Sequence, residues 1–319
     1  MDTSARDALA LFDVSVEGKL EGGWARGCLR QRVKTITAGP MVDVECYPVW
    51  DTRTALAARA EAKREAHRKA QIRLDAKNAQ KKLDRLINAN FGAGDLFLTC
   101  LYDDKAQPPD AETAMKDARN FLRRVKTLRR RRGLPELKYI YVTEETHSAA
   151  RGTRYHHHAI LSGDGVTRDE IEALWDRHKG KRDRYANSRR AKPNEKHLTG
   201  LAHYLTMDKA ARSPEADGKN PQRRAGKRRW NSSLNLRQPV ETVADKKISV
   251  RKAGQIAEAT RENAREVFAR LYPGCDLVEI EVKRSRWVAG VYVYAQLRKR
   301  GAGWSTERRS CAARDAGRR

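Results

Sequence analysis

Three consecutive histidines, His156, His157 and His158, lie inside an otherwise apolar segment, RYHHHAILSG. No other feature constrains the fold as strongly. A run flanked by Tyr155 on one side and Ala159, Ile160 and Leu161 on the other reads as a strand, and side chains alternate across a strand. His156 and His158 are therefore expected on one face, where two imidazoles can reach one metal ion, with His157 on the other. The preceding strand segment, KYIYVTEE, ends in Glu144 and Glu145, and either carboxylate is placed to supply a third ligand. Such a mixed nitrogen and oxygen set suits Mg²⁺ or Mn²⁺. The alternative, three packed and hydrogen-bonded histidines, is weakened by their clustering next to Ile160 and Leu161.

Around this strand the pattern alternates. DLFLTCLY over 95–102 and KYIYVTEE over 138–145 read as strands, with a helix from about Asp110 to Arg132 between them. In that helix Ala118, Phe121, Leu122, Val125 and Leu128 form an apolar stripe that should cover a sheet, and the arginines populate the rest. The polar turn around Ser148 to Gly152 predicts an antiparallel hairpin between the second and third strands. Further helices are expected near 167–178 and 197–211. In the latter, Leu198, Leu201, Ala202 and Leu205 trace a stripe with Tyr204 at its border. A tyrosine so placed is ordinarily a half-buried packing residue; its position downstream of the histidines raises its interest.

The flanks are simpler. Residues 24–50 alternate around Gly39-Pro40 as a β-hairpin, and 54–89, rich in Ala, Lys, Arg, Glu and Leu without Gly or Pro, predicts one long basic helix. After the basic stretch 212–239, a single helix is expected over Val250 to Leu271, ended by Pro273-Gly274 and followed by two strands. The polar tail beyond Gly301 is expected to be disordered.

Charge names the class of partner. Sixty-seven Lys and Arg stand against 41 Asp and Glu, a formal net charge of +26, so the chain seeks a polyanion. With no apolar run of membrane-spanning length and no signal-peptide pattern at the N-terminus, nucleic acid is that polyanion, not a membrane. Five cysteines without a CxxC pair argue against a disulfide framework or a structural zinc site and suit a reducing cytoplasm. No GxxxxGK[ST] loop is present, which argues against a nucleotide-driven helicase. Between Arg177 and Arg237 there are 18 Lys and Arg against 5 Asp and Glu, with Tyr185, Tyr204 and Trp230 interspersed, as expected of a surface that grips a single strand.

Taken in order, FLTCLYDD, YVTEETHSAARGTRYHHHAIL and GLAHYLTMDK resemble motifs one, two and three of the HUH endonuclease superfamily. Within it, KLDRLINANF and RRWNSSLNL resemble segments of the replication-associated proteins of filamentous phages and small plasmids, the rolling-circle initiators. The resemblance implies an α+β fold, an antiparallel β-sheet with packed helices, flanked here by an N-terminal β-hairpin and long helix and a C-terminal α+β extension. It implies metal-dependent nicking and rejoining of one DNA strand through a 5′-phosphotyrosine, with Mg²⁺ or Mn²⁺ as cofactor. Carried over to this chain, His156, His158 and Glu144 become the metal ligands, with Glu145 as second choice, and Tyr204 the nucleophile. Lys196, Lys209, Arg228, Arg229 and Trp230 become DNA contacts. The implied partners are single-stranded or extruded DNA at a replication origin and a host helicase and polymerase, in the cytoplasm of a bacterial host.

On this reading the chain divides into a hairpin region (1–52), a basic helix (53–90), a nuclease core (91–240), a C-terminal helix and hairpin (241–300) and a basic tail (301–319). One departure stands out. The family often carries a lysine three residues after the tyrosine; here that position is Met207, and a phosphate-stabilising cation is left to Lys196, His203 or an arginine. No second tyrosine follows one turn after Tyr204, and Tyr185 is the nearest other candidate. The same motifs also serve transposases and mobilisation relaxases, and a noncatalytic DNA-binding protein on this fold is the reading from outside the enzyme class.

Overall fold

The computed structural model describes residues 30–49, 78–148, 152–176, 183–205, 230–284 and 291–301. They form an α+β structure with two antiparallel five-stranded sheets. The first sheet is made by the two ends of the chain. Strands β1 (Arg30–Ala38) and β2 (Met41–Val49) form the expected hairpin around Gly39-Pro40, and β2 pairs with β10 (Val291–Lys299). β8 (Val240–Ala244) and β9 (Cys275–Arg284) are its edges, in the order β8-β1-β2-β10-β9. Gly39 has a positive φ of 59°, and a Cβ there would stand 2.2 Å from the Asn88 carbonyl oxygen, so the hairpin tip tolerates only glycine against its neighbour.

The second sheet carries the histidines. Its order is β6-β3-β5-β4-β7, with β3 at Leu96–Tyr102, β4 at Tyr139–Ser148, β5 at Gly152–Leu161, β6 at Arg184–Arg190 and β7 at Asn231–Ser232. β4 and β5 form the expected hairpin, and β5 lies at the centre between β3 and β4. Strand β6 is absent from the sequence expectations. RYANSRR has almost no apolar residues on either face, because it is an edge strand with charged side chains along it, the usual protection of an open sheet edge.

Each face of this sheet is covered differently. On one side α2 (Ala111–Arg131) lays its stripe of Ala118, Phe121, Leu122 and Val125 over Leu96, Leu98, Tyr155, Ala159 and Leu161, with Trp175 of α3 (Arg168–Asp176) fully buried beside them. Each large side chain so buried contributes about 1.5–3 kcal/mol. Asp110 caps α2 by accepting the Thr113 N–H at 2.7 Å, and three arginines in its last turn complement the helix dipole. On the other side, helical residues 78–90 (α1) and α4 (Leu201–Leu205) pack Leu83, Ile87, Ala202 and Leu205 over Phe97, Ile140 and Ile160. That layer covers only one end of the face.

Helix α1 also joins the two sheets. Arg85 donates to Asp43 at 2.7 Å and to Glu45 at 2.6 Å, both on β2, while Leu83, Leu86 and Ile87 turn toward the histidine-bearing sheet. Within the long helix expected over 54–89, residues 54–77 lie outside the described region. The expected C-terminal helix is two helices, α5 (Val250–Glu258) and α6 (Arg261–Leu271), because Thr260 takes an extended backbone and caps a new start by accepting the Asn263 N–H. The helix expected from 197 begins only at Leu201, since His197 and Gly200 both have positive φ and hold a turn; its continuation past Leu205 lies outside the described residues. The tail beyond Gly301 does too. Among the described residues, no helix is long and apolar enough to cross a membrane.

Candidate metal centre

The uncovered end of the sheet face is built in rows. Strand pairing sets Ile140, Ile160, Phe97 and Arg189 side by side, then Val142, His158, Thr99 and Asn187, then Glu144 opposite His156. Apolar residues at the covered end thus give way to ligands where the face opens. His157, one residue out of phase, points to the opposite side and is 2% exposed. There its ring meets the Tyr102 hydroxyl at 2.8 Å and the Thr143 hydroxyl at 2.9 Å. Burial, reinforced by the positive charge of His156, Arg184 and His158, lowers its pKa to about 3 and keeps it neutral. It is a core histidine.

His156 Nε2 donates to Glu144 Oε2 at 2.6 Å, and His158 Nε2 lies 3.3 Å from the same oxygen. Burial raises the Glu144 carboxyl, but hydrogen bonds and charge from both histidines outweigh it and hold its pKa at about 2. Glu144, His156 and His158 present one ligand atom each, all within 4.8 Å of one another. The donor set fits a first-row divalent ion: two imidazole nitrogens and one carboxylate oxygen, with the remaining coordination positions open to the surface. Thr99 Oγ1, 3.2 Å from His158 Nδ1, orients that ring from behind, as outer-shell partners of ligand histidines do. Glu145 pairs with Tyr155 in the out-of-phase row and does not join the group.

From His158 a line of side chains leads to Tyr204. Phe97 stacks on His158 at 6.3 Å between ring centroids, and the Arg189 guanidinium lies over Phe97 at 5.0 Å and over Tyr204 at 5.8 Å. Tyr204 is 51% exposed. Arg189 escaped the sequence reading as an individual residue; its signal, alternation with Asn187 and Tyr185, is legible only once 184–190 is known to be a strand.

The segment that delivers Tyr204 is clamped from below by α1. Asp84 Oδ1 accepts the N–H groups of Gly200 at 2.9 Å and Ala202 at 3.3 Å, and Asn88, one turn on, accepts Leu198 N–H at 3.1 Å. His197 Nε2 bonds the Phe91 carbonyl at 2.9 Å. Burial raises the Asp84 pKa to about 6 against the opposing pull of the two N–H bonds. From the first sheet, Arg298 donates to the carbonyls of Asn194 at 2.6 Å and Glu195 at 3.2 Å.

The remaining candidates are dispersed. Lys196 pairs with Glu279 at 3.0 Å, at the seam with the first sheet, and Trp230 packs partly buried against the cluster under α1 and α4. Tyr185 is 51% exposed on β6. Met207, Lys209, Arg228 and Arg229 lie outside the described residues, as does the His203 side chain.

Residues 95–208 match the family model of replication-associated proteins of the ORF2 type. The match runs from β3 through α4 and contains every residue of the triad and Tyr204. No curated protein and no solved structure matches the chain.

Proposed function

We propose, taking that family match as premise, that this protein nicks and rejoins one strand of DNA at a replication origin and so starts rolling-circle replication of a phage or plasmid. The observation that carries the reading is the convergence of Glu144, His156 and His158 on an open sheet face joined by Phe97 and Arg189 to an exposed tyrosine. Mg²⁺ or Mn²⁺ held by the triad supplies Lewis-acid polarisation of a phosphodiester oxygen. Two nitrogen ligands favour Mn²⁺ over Mg²⁺.

The chain's own residues account for the rest. The Tyr204 oxygen attacks the phosphorus, forming a phosphotyrosyl bond to the 5′ side; the bond to the 3′ oxygen breaks, that oxygen takes a proton, and the phenolic proton is released. Attack by a 3′-hydroxyl on the same bond reverses the step and reseals the strand. Arg189 supplies the positive charge toward the phosphate that Met207 does not. The clamp of Asp84 and Asn88 sets where the tyrosine stands, which is the orientation term in such a transfer. A free 3′-hydroxyl serves a host polymerase once a host helicase opens the duplex, all within the bacterial cytoplasm.

The test incubates the protein with 3′-labelled single-stranded origin DNA, with Mn²⁺ or EDTA, and resolves products on denaturing gels. A protein-linked fragment that needs metal and is lost in both Tyr204→Phe and His156→Ala/His158→Ala is the expected result. Adduct formation by Tyr204→Phe would move the nucleophile to another tyrosine, and no product in any lane would leave a DNA-binding protein without nuclease activity.

A further inference from the structure

Beyond His156 the sheet face continues into an open cleft of about 500 Å³, lined by Leu101, Gln107, Thr146, Arg154, His156 and Tyr185. Its volume lies within the range of small-molecule sites. His156 belongs to both the triad and the cleft wall, so whatever enters the cleft sits beside the metal ligands. On the far wall is Tyr185, paired across the ladder with Leu101 and therefore on the triad's face of the sheet.

Tyr185 stands out among the aromatic residues of this sheet. It is 51% exposed, where Tyr102, Tyr141 and Tyr155 are buried. Among the described residues, no hydrogen bond, ion pair or ring contact engages it. A half-exposed ring with nothing resting on it, on an edge strand otherwise made of Arg, Ala, Asn and Ser, offers a flat apolar surface next to a site for phosphate.

The rest of the cleft offers little hydrogen-bonding choice. Gln107 is occupied on both ends, accepting the Tyr155 N–H at 2.9 Å and donating to the Tyr102 carbonyl at 3.3 Å. Thr146 donates to the Arg154 carbonyl at 3.4 Å, and the Arg154 side chain is held by Asp104. With its polar groups so engaged, the cleft selects by shape, stacking and charge. The protein's net charge of +26 favours an anionic ligand.

We propose that Tyr185 is a stacking platform for an unpaired nucleobase adjoining the phosphate at the triad, accepting any of the four bases. The inference rests on the nicking reading for the identity of the ligand, and its chemistry is that of a sequence-tolerant single-strand subsite. Tyr185 thereby acts in binding and leaves the transfer step to another group.

The experiment measures binding in EDTA, so that no chemistry is required, using fluorescein-labelled single strands of oligo-dT, oligo-dA and oligo-dC and an abasic strand of equal length. Tyr185→Ala is expected to weaken binding of all three base-bearing strands by about 10-fold, within the range for one lost base–aromatic stack, with little change for the abasic strand. Tyr185→Phe keeps the ring and should bind within about two-fold of wild type. Equal losses on base-bearing and abasic strands, or none on either, overturn the proposal. So does loss of the protein–DNA adduct in Tyr185→Phe with binding intact, which would make the hydroxyl the nucleophile. Base-dependent binding loss in a protein that forms no adduct supports the subsite while removing the nicking reading.

Discussion

Asn88 and Thr199, 111 positions apart in the chain, meet through a hydrogen bond of 2.8 Å from the amide Nδ2 to the hydroxyl Oγ1. The same amide's oxygen accepts the Leu198 N–H at 3.1 Å, and the Thr199 hydroxyl is also approached by Gln296 of β10 at 3.4 Å. One buried side chain on α1 thus holds the turn that leads into the Tyr204 helix, at the point where both sheets come together.

Asn88→Ala leaves a buried N–H and a hydroxyl without their partner, which costs about 1–3 kcal/mol. A shift of the turn should also displace Tyr204. The variant is expected to fold with a lower midpoint in urea and to form the DNA adduct at least about ten-fold more slowly, with single-strand affinity nearly unchanged. Equal losses in rate and affinity would reduce Asn88 to a stability role.

Asp84 gives a pH signature. Its folded-state pKa of about 6 is above the ordinary aspartate value, so the folded protein binds a proton that the unfolded chain releases. Its contribution therefore rises as pH falls through about 6 toward 4, and above about pH 6 the buried charge opposes folding by up to about 3 kcal/mol. Asp84→Asn keeps the acceptor for Gly200 and Ala202 without the charge. Thermal unfolding should show the variant at least as stable as wild type at about pH 8, with the advantage vanishing by about pH 5. A pH-independent difference would contradict the assignment.

Metal binding is checked without any DNA. At a hundred-fold excess over its dissociation constant, Mn²⁺ should stabilise the fold by about 2.7 kcal/mol, and EDTA should reverse the shift. Glu144→Ala, His156→Ala and His158→Ala should each diminish it, and Glu145→Ala should not. His157→Phe is the control: it orphans the Tyr102 and Thr143 hydroxyls and lowers stability by about 1–3 kcal/mol, yet the Mn²⁺ shift should persist.

Arg189→Ala removes the guanidinium between Phe97 and Tyr204. If it supplies the phosphate-directed charge, the adduct rate should fall about ten- to a hundred-fold, with Arg189→Lys recovering part of the loss. The metal-induced stabilisation should be unaffected. An unchanged rate would assign the missing cation to another residue.

Much of this site was legible from local pattern alone. Alternation within one strand is a property of the backbone, so the division of His156 and His158 from His157 follows from three adjacent letters and the apolar residues around them. The helix over Ala111–Arg131 is likewise written in its stripe. Which glutamate joins the histidines is another matter: Glu144 and Glu145 are adjacent, and only the register of β4 against β5, which sets Glu144 opposite His156, separates them. Arg189 depended on recognising an edge strand that has no apolar alternation to reveal it.

The contacts that position Tyr204 lay further still from the sequence. Asp84 and Asn88 read as unremarkable polar residues of a charged helix, and their meaning appears only when that helix lies under residues 198–202. The pairing of β2 with β10, which brings Gln296 to the same turn, joins segments about 250 residues apart. By itself, the sequence determined the alternation, the helical stripe and the chemistry of the candidate ligands, because each rests on the geometry of neighbouring residues. The tertiary structure alone decided register, the supporting hydrogen bonds and the route from triad to tyrosine, because those depend on which distant surfaces bury one another.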